Sequence, residues 1–406
     1  ALLFRTMPGP MEGIRVVELG MWVAGPAAVA ILGDWGADVV KIEPPEGDPF
    51  RGLLSALGAG DTSPPFELDN RNKRSIALNL SKGDGRRLAG ELVDGADVFV
   101  TNVRGAALER AGLDYSTLSK RNPRLVYAMV SGYGPEGEEK DRAAYDVGAF
   151  WSRAGVAAAL TPEGADLPYQ RGGMGDHMAG MATAGAVSAA LFARERTGEG
   201  QLVSVSLLRI GMYMVGWDVS MALRLGIPTV PMTVKGPPNP LINAYGARDG
   251  RRFWLLGLQG DRHWPDLIRA VDRPEWREDP RFVSIESRWK HSAELVNELT
   301  EIFSSRSRDE WGEIFDAEDV WWAPVQHAHE TVEDPQARAA GAFVEVPTAE
   351  GEDPVTMLAT PVDFSGTPWA PRSMPPEFSQ HTEEVLLELG YDWPTIIELK
   401  DSGAIP

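Results

Sequence analysis

What most restricts the fold of this chain is the order of elements near its start: a strand, a helix and a second strand in direct succession. Ile14–Leu19 (Ile-Arg-Val-Val-Glu-Leu) is a run rich in β-branched residues that stops at Gly20. Gly25-Pro26 then opens an Ala-rich apolar stretch, Ala27 to Trp35. Proline suits a first helical turn, where its missing N–H would have had no partner. Gly36 ends that helix, and Ala37–Glu43 reads as a strand halted by Pro44-Pro45. Two strands joined by a helix lie parallel, with a right-handed crossover.

The alternation continues. Arg74–Leu80 reads as a strand, and Lys82–Asp94 as a helix with Leu88, Leu92 and Val93 on one face. Ala96–Val100 and Leu125–Val130 are further strands, the latter closing on Ser131-Gly132-Tyr133-Gly134. A long Ala/Gly/Met helix is expected from about Met178 to Glu195, turning at Gly198 and Gly200 into a strand over Gln201–Ser206. The pattern predicts an α/β fold with a large doubly wound, Rossmann-like domain over residues 1–226. Prolines 228, 231, 237, 238 and 240 then mark a linker over 227–240. A strand at Arg252–Gly257 and helices near Asp261–Val271, Ser292–Ser304 and Arg308–Asp316 predict a smaller α+β domain over 241–325. Residues 326–372 read as a second linker, Gly/Pro-rich from Gly341, and 373–406 as a C-terminal segment with a helix at His381–Leu389.

Composition removes several kinds of chemistry. The 406 residues carry 39 Lys and Arg against 59 Asp and Glu, a net charge of −20. A nucleic-acid binder would need a basic face to displace counterions, and an anionic membrane would repel this chain. Any anionic ligand therefore requires a local cluster of cations and backbone N–H groups. With no Cys there is no disulfide, thiolate nucleophile or Cys-ligated metal. His327-Ala328-His329-Glu330 reads as a polar loop after Pro324, and no metal site is expected. No apolar run reaches the ~20 residues that span a bilayer, and Ala1–Pro10 lacks the charged start and long apolar core of a secretory signal. The expected location is cytoplasmic.

There is no P-loop, no Gly-x-Ser-x-Gly elbow and no complete dinucleotide fingerprint. The local feature that stands out is Gly172-Gly173-Met174-Gly175-Asp176, a carboxylate at the start of the long helix, near the positive end of its dipole. Asp is a favoured helix cap, which is the plain structural reading. The glycines also allow a ligand backbone or a thioester to approach closely. Asp146, after Ala143-Ala144-Tyr145, is a second carboxylate that could lie nearby, or else a solvated loop residue.

A series of further segments carries a resemblance. They include Gly13–Leu19, Ala24-Gly25-Pro26, Leu32–Glu43, Asn72–Ser75, Leu108–Leu113, Asn122–Tyr127, Ser131–Gly134, Gly175-Asp176, Asp249-Gly250-Arg251 and His381–Leu386. In this order and spacing the chain resembles the family III CoA-transferases, a group that also contains the α-methylacyl-CoA racemases. The resemblance implies CoA or an acyl-CoA as substrate rather than as a resident cofactor, and a carboxylic acid as acceptor. It implies Asp176 as the nucleophile that passes through anhydride and aspartyl-CoA intermediates. It places Val23 and Ala24 beside the pantetheine and thioester, with Tyr145 and Asp146 near them. Leu78, Ser81, Lys82, Asn102, Val103 and Arg104 would line the adenosine region, and Arg110 would grip phosphate. Pro44 and Ala143 stand where formyl-CoA transferases of the family carry basic residues, and Val23 where they carry a Gln.

The racemases of the group use a His where this chain has Tyr145, and a Glu that would fall near Gly260. A phenol with a pKa near ~10 is a poor base at neutral pH, so transfer is expected over racemisation. Racemisation and a catalytically silent acyl-CoA-binding protein are the alternatives. The family also implies a homodimer of interlocked rings, each large domain completed by its own C-terminal segment.

Overall fold

The computed structural model describes residues 9–406 except 59, 61, 229, 231 and 350. Pro231 and most of Ala1–Pro10 thus lie outside the described residues. The chain forms two compact units. The larger holds residues up to Ala157, Tyr169–Ile227 and Ala340–Pro406, and the smaller holds Ala158–Pro168 and Pro228–Ala339.

The larger unit begins with β1 (Arg15–Leu19), α1 (Ala24–Asp34), β2 (Asp38–Glu43), α2 (Leu53–Ala56), α3 (Pro64–Asn70) and β3 (Lys73–Ala77). It continues through α4 (Gly83–Asp94), β4 (Val98–Thr101), α5 (Gly105–Ala111), α6 (Tyr115–Arg121) and β5 (Val126–Ser131). A π-helical turn at Val147–Arg153 and the short α7 (Val156–Ala159) precede α8 (Met174–Thr197), β6 (Leu202–Ser206), α9 (Leu207–Met214) and α10 (Gly216–Leu225). The six strands form one parallel sheet in the order β3-β2-β1-β4-β5-β6, the doubly wound arrangement.

Strand alternation divides the core. Val16 faces α1 and α8, packing among Val29, Leu32, Ala184 and Val187. Val17, one residue on, faces the other layer with Leu88, Phe99, Leu108, Val385 and Ile396. α8 begins at Met174, a turn earlier than the composition suggests. Gly173 adopts a left-handed φ of 77° to cap it. Gly175 lies inside the helix, and a side chain there would run into Phe150 and Asp146. Propensity argues against glycine in a first turn; packing overrides it.

In the smaller unit β7 (Ile242–Gly246), β8 (Arg252–Leu256) and β9 (Trp322–Val325) form an antiparallel sheet. Helices Gly260–Ala270, Ser292–Phe303 and Arg308–Ala317 supply much of its aromatic core, around Phe253, Trp264, Phe303, Trp311 and Phe315. His327 caps a short helix, Ala328–Thr331, where a loop was expected. Within the stretch read as a return linker, β10 (Phe343–Val346) and β11 (Val355–Leu358) pair as a hairpin. The C-terminal segment docks on β3: the His381 N–H donates to the Ser75 carbonyl at 2.9 Å, and the Thr382 hydroxyl accepts from the Ala77 N–H at 3.1 Å. A second helix there, Trp393–Asp401, has no expectation from sequence.

Candidate active site

β1 and β4 are neighbours in the sheet, but their connections run to opposite sides, toward β2 and β5. The loops after them therefore diverge and leave a crevice at the carboxyl end, the usual binding place in such sheets. Val23 caps α1 and Ala24 opens it on one side of that crevice; Asn102, Val103 and Arg104 lie between β4 and α5 on the other. Asn102 ties the two loops together. Its Oδ1 accepts from the Met21 N–H at 3.0 Å, and its Nδ2 donates to the Met21 carbonyl at 2.7 Å.

A buried ionic cluster underlies the first loop. Glu18 on β1 meets Lys41 on β2 at 2.8 Å and Lys73 on β3 at 2.7 Å, and Lys41 also meets Asp48 at 3.0 Å. Asp48 accepts from the Trp22 N–H at 3.2 Å, and Lys41 donates to the Gly20 carbonyl at 2.8 Å. These bonds hold Trp22 at a left-handed φ of 66°, a strained conformation for a bulky residue. Burial alone would raise the Glu18 carboxyl, but Lys41 and Lys73 pull it below its ordinary value. Burial pushes Lys73 down to about 8, with Glu18 opposing that and Lys41 adding to it.

Asp176 is the third residue of α8, so it is not the cap; Gly173 is. The capping duty passes to Asp146, whose buried carboxylate accepts the Gly175 N–H at 3.0 Å through Oδ2 while its Oδ1 has no partner. Asp176 is half-buried. Burial and then the charge of Asp146 raise its carboxyl to about 7, against a smaller opposing effect of His177. Two neighbouring carboxylates held in different environments are the usual mark of divided acid–base or nucleophilic duties. The first intrahelical bond runs from His177 to Gly173, which leaves the Met174 and Asp176 N–H groups as first-turn donors without helical acceptors.

The other expected residues divide into groups. Tyr145 is 65% exposed and meets Trp22 edge-on, ring centres 5.8 Å apart. Leu78 directly follows β3, the edge strand of the sheet; its side chain is fully buried in the core and its N–H donates to the Glu43 carbonyl at 2.9 Å, so only its carbonyl is left to face a ligand. Ser81 donates to Asn79 Oδ1 at 2.5 Å, and Lys82 caps α4. Lys82, Arg104 and Arg110 are exposed, and no ion pair forms at any of them among the described residues.

Asp69 and His177 were not singled out by sequence. His177 Nε2 lies 3.1 Å from Asp69 Oδ1, across 108 positions of chain. Hydrogen bonding to Asp69 raises the imidazole, and burial raises the Asp69 carboxyl. Glu18 and Lys41 did carry a signal: charged residues inside runs otherwise built for a sheet interior. A cleft of about 1810 Å³ lined by Asp34, Asp38, Arg74, Arg372 and His381 opens at the amino ends of β2 and β3, away from these loops.

A family model described as "CoA-transferase family III" matches residues 11–382. The chain is 34% identical to the (R)-2-hydroxy-4-methylpentanoate CoA-transferase of Clostridioides difficile over 398 residues, 97% of this chain and 99% of that one. It is 33% identical to the cinnamoyl-CoA:phenyllactate CoA-transferase of Clostridium sporogenes, over 96% of this chain and 95% of the relative. A CAIB/BAIF family protein from Brucella suis superposes with a TM-score of 0.82 at 29% identity, covering 94% of this chain and 100% of that one.

Proposed function

This chain belongs to CoA-transferase family III, and on that premise we propose that it moves CoA from an acyl-CoA to a carboxylic acid with Asp176 as the covalent carrier. The observation that carries the reading is the Asp176 carboxyl itself. It is raised to about 7 by burial and Asp146, receives no hydrogen bond among the described residues, and lies at a helix start with free N–H groups.

In the first step a carboxylate oxygen of Asp176 attacks the thioester carbonyl. The C–S bond breaks, leaving a mixed anhydride and CoA thiolate. The thiolate attacks the Asp176 carbonyl and expels the donor acid as carboxylate, giving an aspartyl-CoA thioester. An acceptor carboxylate attacks that thioester and releases the thiolate, which then takes the acceptor's acyl carbon and frees Asp176. Splitting one acyl transfer into such steps is ordinary covalent catalysis. The Met174 and Asp176 N–H groups would stabilise the developing oxyanions, a role typically worth about 3 kcal/mol per donor. Burial makes the Asp176 carboxylate costly to charge and therefore more nucleophilic once ionised.

CoA would lie over the crevice, with Val23, Ala24, Tyr145 and Asp146 near the thioester. Its nucleotide end would run over the backbone at Leu78, then Ser81, Lys82, Asn102, Val103 and Arg104, with Arg110 on phosphate. Those exposed cations would supply the positive charge that an anionic ligand requires on an acidic chain. The relatives act on 2-hydroxy-4-methylpentanoate and phenyllactate, so a related acid is the first acceptor to try. The chain would work as a homodimer: α10 buries none of its residues and exposes Trp217 and Leu223, next to an exposed Tyr213.

The test is chemical trapping. With an acyl-CoA and hydroxylamine, Asp176 should be recovered as its hydroxamate by mass, and Asp176→Ala should lose both trapping and turnover. Deuterium entering the α-carbon of an intact 2-methylacyl-CoA, with no trapped aspartyl species, would overturn transfer in favour of racemisation.

A further inference from the structure

Beside the start of α8 lies a cavity of about 490 Å³ with no assigned occupant. His177, the residue after Asp176, forms part of its wall, and the opposite side comes from the chain around β10 and β11. Its surface is mostly apolar, supplied by Ala30, Ile31, Leu68, Met181, Ala342 and Leu358. A volume of this size is in the range of small-molecule pockets, which combine apolar walls with a few placed polar groups.

The polar groups are few. Asp69 and Thr360 both line the cavity, both are more than nine-tenths buried, and Asp69 Oδ2 and Thr360 Oγ1 have no hydrogen-bond partner. An orphaned buried acceptor and an orphaned hydroxyl are costly unless a ligand completes them. A ligand hydroxyl does so, since it can donate to a carboxylate or accept from a threonine. The charges in the wall are equally selective. Arg71 directs Nε and Nη2 to Asp34, and Nη1 to the Leu358 carbonyl. His177 gives its Nε2 to Asp69, and Asp363 adds another carboxylate. A second carboxylate entering this space would meet the like charge of Asp69 and Asp363, with the Arg71 guanidinium already paired to Asp34.

We infer that this cavity holds the side chain of the exchanged acid, and that it selects a hydroxylated monocarboxylic acid with a branched aliphatic or aryl side chain while rejecting dicarboxylates. The inference rests on the transfer reading above and adds the substrate class to it.

Self-exchange is the direct experiment: each labelled free acid is incubated with its own CoA thioester. Acids are 2-hydroxy-4-methylpentanoate, 4-methylpentanoate and glutarate. The hydroxy acid should exceed its deoxy analogue at least tenfold in kcat/KM, and glutarate should fall at least a hundredfold below it. Thr360→Val should erase the hydroxyl preference with the deoxy acid unchanged. Ala342→Phe should raise the KM of the hydroxy acid at least tenfold, while the Kd of CoA by calorimetry stays the same and shows that the variant is folded. Glutarate exchanging as well as the hydroxy acid, or a preference that survives Thr360→Val, would overturn the pocket while leaving transfer intact. If no acid exchanges and no Asp176 species is trapped, the transfer reading fails instead. Saturation-transfer NMR then still decides the pocket: contact of the hydroxy acid with the wild type that is lost in Ala342→Phe supports it, and equal contact in both overturns it.

Discussion

Asp176 must be ionised to attack a thioester, yet burial and Asp146 hold its carboxyl up to about 7. With a donor acyl-CoA, kcat/KM should therefore rise with pH through about 7 and level off above it. Stability should run the other way. Between about pH 4 and 7 the folded chain binds a proton that the unfolded chain has released, so stability falls as pH rises through that window. Asp176→Asn removes the penalty and should be more stable than the wild type at pH 8 by about 1–2 kcal/mol, once screening by solvent is allowed for. The gap should close below about pH 4 in thermal scans, and a gap that persists there would point to an effect other than ionisation. Arg110 makes a separate case. Arg110→Ala should weaken CoA by roughly 1.5–3 kcal/mol, the worth of a charge-assisted contact. Unchanged calorimetric affinity would take Arg110 out of the site.

At the scale of elements, the site depends on how closely α8 approaches its neighbours. Gly180 lets α8 approach α1: a Cβ there would lie 2.9 Å from that of Ala27. Gly175 makes room for Phe150 and for the Asp146 carboxylate that caps the helix. Gly175→Ala should destabilise the protein by about 1–3 kcal/mol, as overpacking does, and should lower kcat more than it raises the KM for the donor, since it displaces Asp146. Equal stability and activity would mean that the close approach is relaxed in solution. α1, α4, α8 and the parallel strands were legible because each carries its own pattern: alternation in the strands, Gly and Pro at the stops. The Gly-rich start of α8 was misplaced by a turn because glycine lowers local helix propensity, whereas tertiary packing demands it there. α10 and the β10–β11 hairpin went unread for a related reason. Neither shows the apolar periodicity that a neighbouring layer would impose, and α10 buries no residue within the chain.

For the whole molecule, the bare face of α10 predicts association. Two interlocked rings, as the family resemblance implies, should remain dimeric on dilution far below ordinary dissociation constants, because separation requires unfolding. A concentration-dependent monomer in native mass spectrometry would contradict threading, and Trp217→Asp with Leu223→Asp should impair assembly if that face is the contact. What the sequence by itself determined is the class of fold, the family and the identity of the carboxylate most worth testing. Each of these lies in short segments whose order and spacing can be read directly: strand runs, glycine stops, Gly175-Asp176. Only the tertiary structure decided which groups surround that carboxylate. Asp146 lies 29 positions from the amide it caps, and Asp69 lies 108 from His177. No local pattern encodes such meetings, since side chains that converge on one site are chosen by the packing of whole layers. The same packing excludes water there, and that exclusion raises the carboxyls of Asp176 and Asp69 and leaves an apolar cavity beside them.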